Sequence, residues 1–158
     1  LAGRQSQVLS IKVEVDTNPP EGAVLDVSIV RKFAVMRLQH HDRASLLAGK
    51  LHAVLTRSYP KGRDYYDLLW YMTSGGWPAP NMSMLRNALR QTGVCDEEME
   101  SMDLRSMLEE RFRTVDWAAV RRDIEPFLEH PSEVEYLNEK DMTGLLDSSS
   151  LFRDSPSS

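Results

Sequence analysis

Residues 33–55, FAVMRLQHHDRASLLAGKLHAVL, hold the change of period that decides the fold. Phe33-Ala34-Val35-Met36-Arg37-Leu38 is short, mostly apolar and reads as a strand. From Asp42 the spacing turns helical, with Leu47, Leu51, Val54 and Leu55 on one stripe at a period of about 3.6. That helix is expected to run to about Ser58, where Pro60 and Gly62 end it. Upstream, 25–30 (LDVSIV) reads as a second strand, separated by Asn18-Pro19-Pro20-Glu21-Gly22 from a third over 8–16 (VLSIKVEVD). In that third strand Val13 and Val15 are expected in the core, with Lys12, Glu14 and Asp16 together on the outer face.

Downstream every pattern is helical. One helix begins near Arg63, carries Tyr66, Leu69, Trp70 and Thr73 on one side and stops at Ser74-Gly75-Gly76. Further helices are expected over 82–92, 104–115 and 117–129, capped by Asn81, Asp103 and Asp116, whose short side chains accept from free N–H groups of a first turn. The order is strands and then helices without βαβ alternation, an α+β layout. Three short strands bury too little alone and leave an open edge, so they read as the end of a sheet that begins upstream. The organisation expected is strands over 1–41, a helical region over 42–146 and a fraying polar tail over 147–158. The chain starts at Leu1 rather than Met, which adds the expectation of an upstream segment.

The chain has 158 residues, 41% of them hydrophobic and 27% charged, the composition of one folded domain rather than a disordered chain. No apolar run reaches membrane-spanning length, and the first ten residues lack the parts of a signal peptide, so a cytoplasmic location is expected. A single cysteine, Cys95, excludes an internal disulfide and a cysteine-rich zinc site. The net charge of −5 conceals two opposed halves. Residues 31–63 carry eight basic side chains and one acid (+7), whereas 96–141 carry fifteen acids and six basic side chains (−9). A partner rich in phosphate would meet the first half.

Two constellations could carry chemistry. Glu14 and Asp16, two apart on a strand, offer paired oxygens to a divalent cation, although a merely solvated strand face gives the same pattern. The second spans 48–67. Lys50 and Arg57 lie seven apart on nearly one wall of a helix, and Lys61 and Arg63 stand at the start of the next, where free N–H groups and the helix dipole favour anions. Asp64 and Asp67, three apart, share a face. A lysine at the margin of a core suits phosphate contact, and an acid opposite it suits metal ligation or activation of a hydroxyl. A surface ion pair between Lys50 and Asp64 is the plainer alternative. His40, His41 and His52 show no metal-ligand spacing, and the aromatic residues 65, 66, 70 and 71 fit a core as well as a base-stacking surface.

These residues resemble a known family. IKVEVDTNPP (11–20), AGKLHAVLTR (48–57) and KGRDYYDLLWY (61–71), in this order and spacing, are similar to the C-terminal portion of the AbiEii/AbiGii nucleotidyltransferase toxins, the toxin half of abortive-infection toxin–antitoxin pairs. The resemblance covers roughly residues 11–71, and the rest only in helical character. It implies the end of a polymerase-β-like mixed sheet followed by a helical region, a Mg²⁺-dependent site, a nucleoside triphosphate substrate, an RNA acceptor such as tRNA, and a cognate antitoxin. In it Lys50 and Asp64 correspond to the family's later lysine and aspartate, with Asp67 as neighbour, and Glu14 or Asp16 to the acid of a late strand. The catalytic residues expected are then Lys50, Asp64 and Asp67, the metal-binding acids Glu14 or Asp16, and the cations of the second constellation, Lys50, Arg57, Lys61 and Arg63, would meet phosphate. The family's Gly-Ser and Asp-x-Asp motifs occur nowhere in the sequence. The chain is therefore expected to be inactive without a segment that supplies them; the alternative is a non-catalytic module binding RNA or protein.

Overall fold

A computed structural model describes Val13, Val15 and residues 17–94 and 103–152. Two strands, β1 (Leu25–Arg31) and β2 (Val35–His41), pair antiparallel from Leu25↔His41 to Arg31↔Val35, and Lys32-Phe33-Ala34 turn between them. The second strand starts two residues later than its sequence suggested, because Phe33 sits in the turn. Among the described residues nothing covers either face of this ribbon: Ile29 is 76%, Val35 69% and Phe33 96% exposed. Among the described residues the ribbon is fixed at its base, where Asp42 N–H donates to Val24 O (2.9 Å) and Val24 N–H to Ser45 Oγ (3.0 Å). An isolated ribbon of this size contributes little stability of its own.

Six helices follow. They are α1 (Arg43–Thr56), α2 (Gly62–Thr73), α3 (Met82–Gln91), α4 (Leu104–Thr114), α5 (Trp117–Ile124) and α6 (Glu139–Ser148). All but α2 begin on an Asp or Asn whose side chain accepts a first-turn N–H: Asp42, Asn81, Asp103, Asp116 and Asn138. α5 is shorter than its periodicity suggested, because Pro126 lacks an N–H and diverts the chain into a 3₁₀ turn over Glu125–Phe127. A second 3₁₀ segment, Pro131–Tyr136, leads into α6. The result is an α+β fold with a helical C-terminal region, as expected.

α1 is the centre of the helical layer and packs on α2, α3 and α4. Leu47, Leu51, Leu68, Leu85, Leu108 and Phe112 are fully buried there, and each such side chain is worth about 1.5–3 kcal/mol of transfer free energy. Two expectations fail. Val13 and Val15, assigned to the core, are 80% and 78% exposed, since no described element covers them. On α2 the buried stripe is Tyr65, Leu68, Leu69 and Met72, one residue out of phase with Tyr66, Leu69, Trp70 and Thr73. Asp64 is buried at the head of the same stripe, so α2 is rotated to bring a carboxylate inward. Packing also continues past Asp147, with Leu151 in the core.

Gly62 sets how α2 approaches α5. Its N–H donates to Asp123 Oδ2 (2.7 Å), and a Cβ there would lie 2.3 Å from Val120 O and 2.8 Å from Ile124 Cβ. Only a residue without a side chain allows this contact.

Candidate active site

The short connection between α1 and α2 folds the two helices against each other and turns a sequence separation of fourteen residues into a contact. Lys50 Nζ on α1 donates to Asp64 Oδ1 on α2 at 2.9 Å and lies 2.8 Å from Asp67 Oδ2. Arg57, which ends α1, places Nη1 3.1 Å from Asp64 Oδ2. The two carboxylates differ in setting, since the Asp64 side chain is 4% exposed and that of Asp67 44%. Their separation of three positions along α2 aims both at the same lysine. The Arg57–Asp64 contact is one of charge without hydrogen-bond alignment, for Arg57 Nη1 and Asp64 Oδ2 are both buried and make no hydrogen bond.

Arg111 holds the cluster from behind. From α4 its Nε donates to Val54 O (2.9 Å) and Tyr65 Oη (3.0 Å), and its Nη2 donates to Arg57 O (2.6 Å). These bonds satisfy carbonyls that the end of α1 leaves free and fix the backbone from which Arg57 reaches Asp64. Tyr65 is locked in turn, edge-on to Trp117 at 5.3 Å.

Burial disfavours the charged form of Lys50, but its hydrogen bonds to Asp67 and Asp64 and their charges outweigh that and raise its pKa above the ordinary lysine value. Lys50 is therefore an ammonium at neutral pH, suited to holding negative charge and unsuited to removing a proton. Tyr71 lies on the same side of α2, and its pKa is raised by burial and then by the charge of Asp67.

The structure thus brings Lys50, Arg57, Asp64 and Asp67 together. It does not bring Lys61 and Arg63 to them: both are exposed, and no hydrogen bond or ion pair among the described residues ties their side chains to the cluster. The N–H of Gly62 at the head of α2, expected to favour an anion, already holds the carboxylate of Asp123. Glu14 and Asp16, like Lys12 and Cys95, lie outside the described residues. His40 pairs with Ser28 (2.8 Å) and His52 with Thr92 (3.3 Å), and the described residues contain no group of three metal-ligating side chains. With Asp64 and Asp67 turned to Lys50 and Arg57, the described residues do not fit Mg²⁺. Asp123 and Arg111 carried no signal in the sequence, since both fall in the acidic half, far from the residues they hold.

These features define an α+β protein whose helical layer carries a charge cluster of Lys50, Arg57 and the buried Asp64, with Asp67 at its exposed edge. A family model described as "Nucleotidyl transferase AbiEii toxin, Type IV TA system" matches residues 3–139, and the chain belongs to that family of toxins. All four cluster residues fall inside the match, which ends at the first residue of α6. Neither a curated protein nor a solved structure matches the chain.

Proposed function

We propose that the chain contributes the helical side of a nucleotidyltransferase site, which transfers a nucleotide from a nucleoside triphosphate to an RNA acceptor, tRNA foremost, in the cytoplasm. The observation that carries this reading is the approach of Lys50 Nζ to 2.9 Å from Asp64 and 2.8 Å from Asp67 in a member of a nucleotidyltransferase toxin family. In such a transfer a hydroxyl oxygen of the acceptor attacks the α-phosphorus and pyrophosphate departs. Lys50 is a fixed ammonium that offsets charge on the phosphates, and Arg57 adds a second cation at the same place. Asp64 holds both in position. Asp67, at the exposed edge, is the carboxylate available to the acceptor hydroxyl.

Mg²⁺ belongs to this proposal through the family. Its ligands would be Glu14 or Asp16 together with acids of a Gly-Ser/Asp-x-Asp segment, which the sequence lacks. The chain alone is accordingly proposed to be inactive, and a cognate antitoxin to restrain the assembled toxin.

The test incubates the 158-residue chain with labelled nucleoside triphosphates, Mg²⁺ and total tRNA, alone and with a Gly-Ser/Asp-x-Asp segment from a nucleotidyltransferase of the same family. Transfer is expected only in the supplemented reaction and is expected to disappear with Lys50→Ala. Transfer by the chain alone would refute its inactivity. Transfer that survives Lys50→Ala would remove the cluster from the site.

A further inference from the structure

The wall of α2 opposite Asp64 and Asp67 is unused by that proposal. There Tyr66, Leu69, Trp70 and Thr73 form, with α6 and the 3₁₀ segment before it, a groove of about 710 Å³. That volume is within the range of small-molecule sites. Lys140, Asp141, Gly144 and Leu145 line it from α6, beyond the end of the family match, while the α2 and 3₁₀ walls lie within it.

Its walls are largely aromatic, and its charged groups are two carboxylates, Glu133 and Asp141, and one ammonium, Lys140. Tyr66 donates to Glu133, and Trp70 and Tyr136 are 51% and 58% exposed. Trp70 is braced edge-on against Tyr71 and Trp77, each 5.5 Å between ring centres, so its indole is held in place before any ligand arrives. Asp141 accepts from Asn138 Nδ2 at 2.6 Å and has acceptor capacity to spare. The single lining cation is Lys140. The two carboxylates outnumber the one lysine of the lining, and the hydrogen bond to Glu133, then burial and the charges of Glu133, Asp67 and Glu129, raise the pKa of Tyr66. A polyanion would be repelled here, while a cation would find both ring faces and carboxylates.

We infer that the groove between α2 and α6 binds a free alkylammonium, a small diamine or triamine whose methylenes lie against Tyr66, Trp70 and Tyr136 while its charge meets Glu133 and Asp141. The groove is larger than one lysine stem fills, which favours a free polyamine over a side chain of another protein.

Spermidine is the probe, titrated calorimetrically and by amide NMR into the whole chain, with metal-free ATP as the anionic comparison. One saturable site is expected, with shifts at residues 66, 70, 136 and 144. Gly144→Leu fills the groove and leaves every charge in place; a Cβ at Gly144 meets no atom within 4 Å, and leaving glycine favours the helix. It should keep or raise Tm and abolish binding. Glu133→Gln can still accept from Tyr66 and should weaken spermidine about tenfold, the loss of one charge-assisted hydrogen bond. Lys140→Gln should tighten it. Spermidine binding unchanged in Gly144→Leu would mean diffuse attraction to an acidic surface and would overturn the inference. So would tighter binding of ATP that Lys140→Gln weakens, or no saturable binding at millimolar spermidine. If Gly144→Leu fails to fold, Glu133→Gln and the location of the NMR shifts decide.

Discussion

Asp64→Asn removes one charge and almost no volume at the most buried point of the cluster. Breaking a fully buried ion pair by deleting one partner costs about 3–5 kcal/mol. Two features of the structure reduce that figure. Lys50 keeps Asp67 at 2.8 Å, and the cations left behind reach solvent, the Lys50 side chain at 20% and that of Arg57 at 37% exposure. An expected loss of about 2 kcal/mol follows once this screening is allowed for, or about 4–8 °C in Tm for a chain of this length. Urea unfolding followed by tryptophan fluorescence measures it directly, since Trp117 packs on Tyr65, the neighbour of Asp64. Asp67→Asn is the control. With 44% of its side chain exposed it should cost below about 1 kcal/mol. A cycle with Lys50→Met should return a coupling energy of about 1–2 kcal/mol between positions 50 and 64. If Asp67→Asn costs as much as Asp64→Asn, or the coupling vanishes, the inward rotation of α2 is wrong.

Gly62→Ala sets a methyl group against Val120 O at 2.3 Å and should cost about 1–3 kcal/mol as α2 and α5 separate, read as a lower urea midpoint. Arg111→Met leaves the carbonyls of Val54 and Arg57 and the Tyr65 hydroxyl without their donor, for an expected loss of about 3 kcal/mol by the same measurement; a midpoint within error of the parent would deny its role. Burial, followed by the charge of Arg57, lowers the His52 pKa below 6.5 against the pull of a hydrogen bond to Ala88. The unfolded chain therefore takes up this proton first on acidification, and stability should fall as pH drops from about 6.5 through the lower folded value. His52→Gln should flatten that slope between pH 7.5 and 5, and an unchanged slope would assign it to other groups. In the supplemented transfer reaction, Asp67→Asn should lower KM for the nucleoside triphosphate, because Lys50 loses a competing anion, and also lower kcat; a raised KM would contradict this.

What the sequence disclosed was local chemistry. Asn81, Asp103 and Asp116 announce their helices because an N-cap bonds only two or three positions ahead; Asp42 caps α1 in the same way. The pairing of Lys50 with Asp64 was legible for a similar reason, as a short link between two helices leaves few ways to place their facing sides. The phase of α2 was not legible. Apolar periodicity favoured Tyr66, Trp70 and Thr73, and the choice of Tyr65 and Asp64 depends on two cations arriving from α1 and on Gly62 meeting α5. Arg111 lies 57 residues from Val54, and no short-range pattern links them. The burial of Val13 and Val15 was misjudged because alternation identifies two faces of a strand without saying whether anything covers either.

The cluster is not explained by stability alone. Two cations and two carboxylates meet in it, so their charges cancel, and apolar residues of similar volume commonly hold such a corner as well or better. Cancellation also means that the cluster exerts little net pull on a distant polyanion; its effect is confined to contact range. The arrangement is asymmetric within that range. Asp64 is enclosed and contacts both Lys50 and Arg57, while Asp67 stands nearer the surface and contacts the same ammonium. On the proposed function, an incoming phosphate would exchange with Asp67 while Asp64 stays in place, trading one anionic partner of Lys50 for another without leaving a buried charge unpaired. On that proposal, the exchange would be how a lysine so fully paired engages substrate.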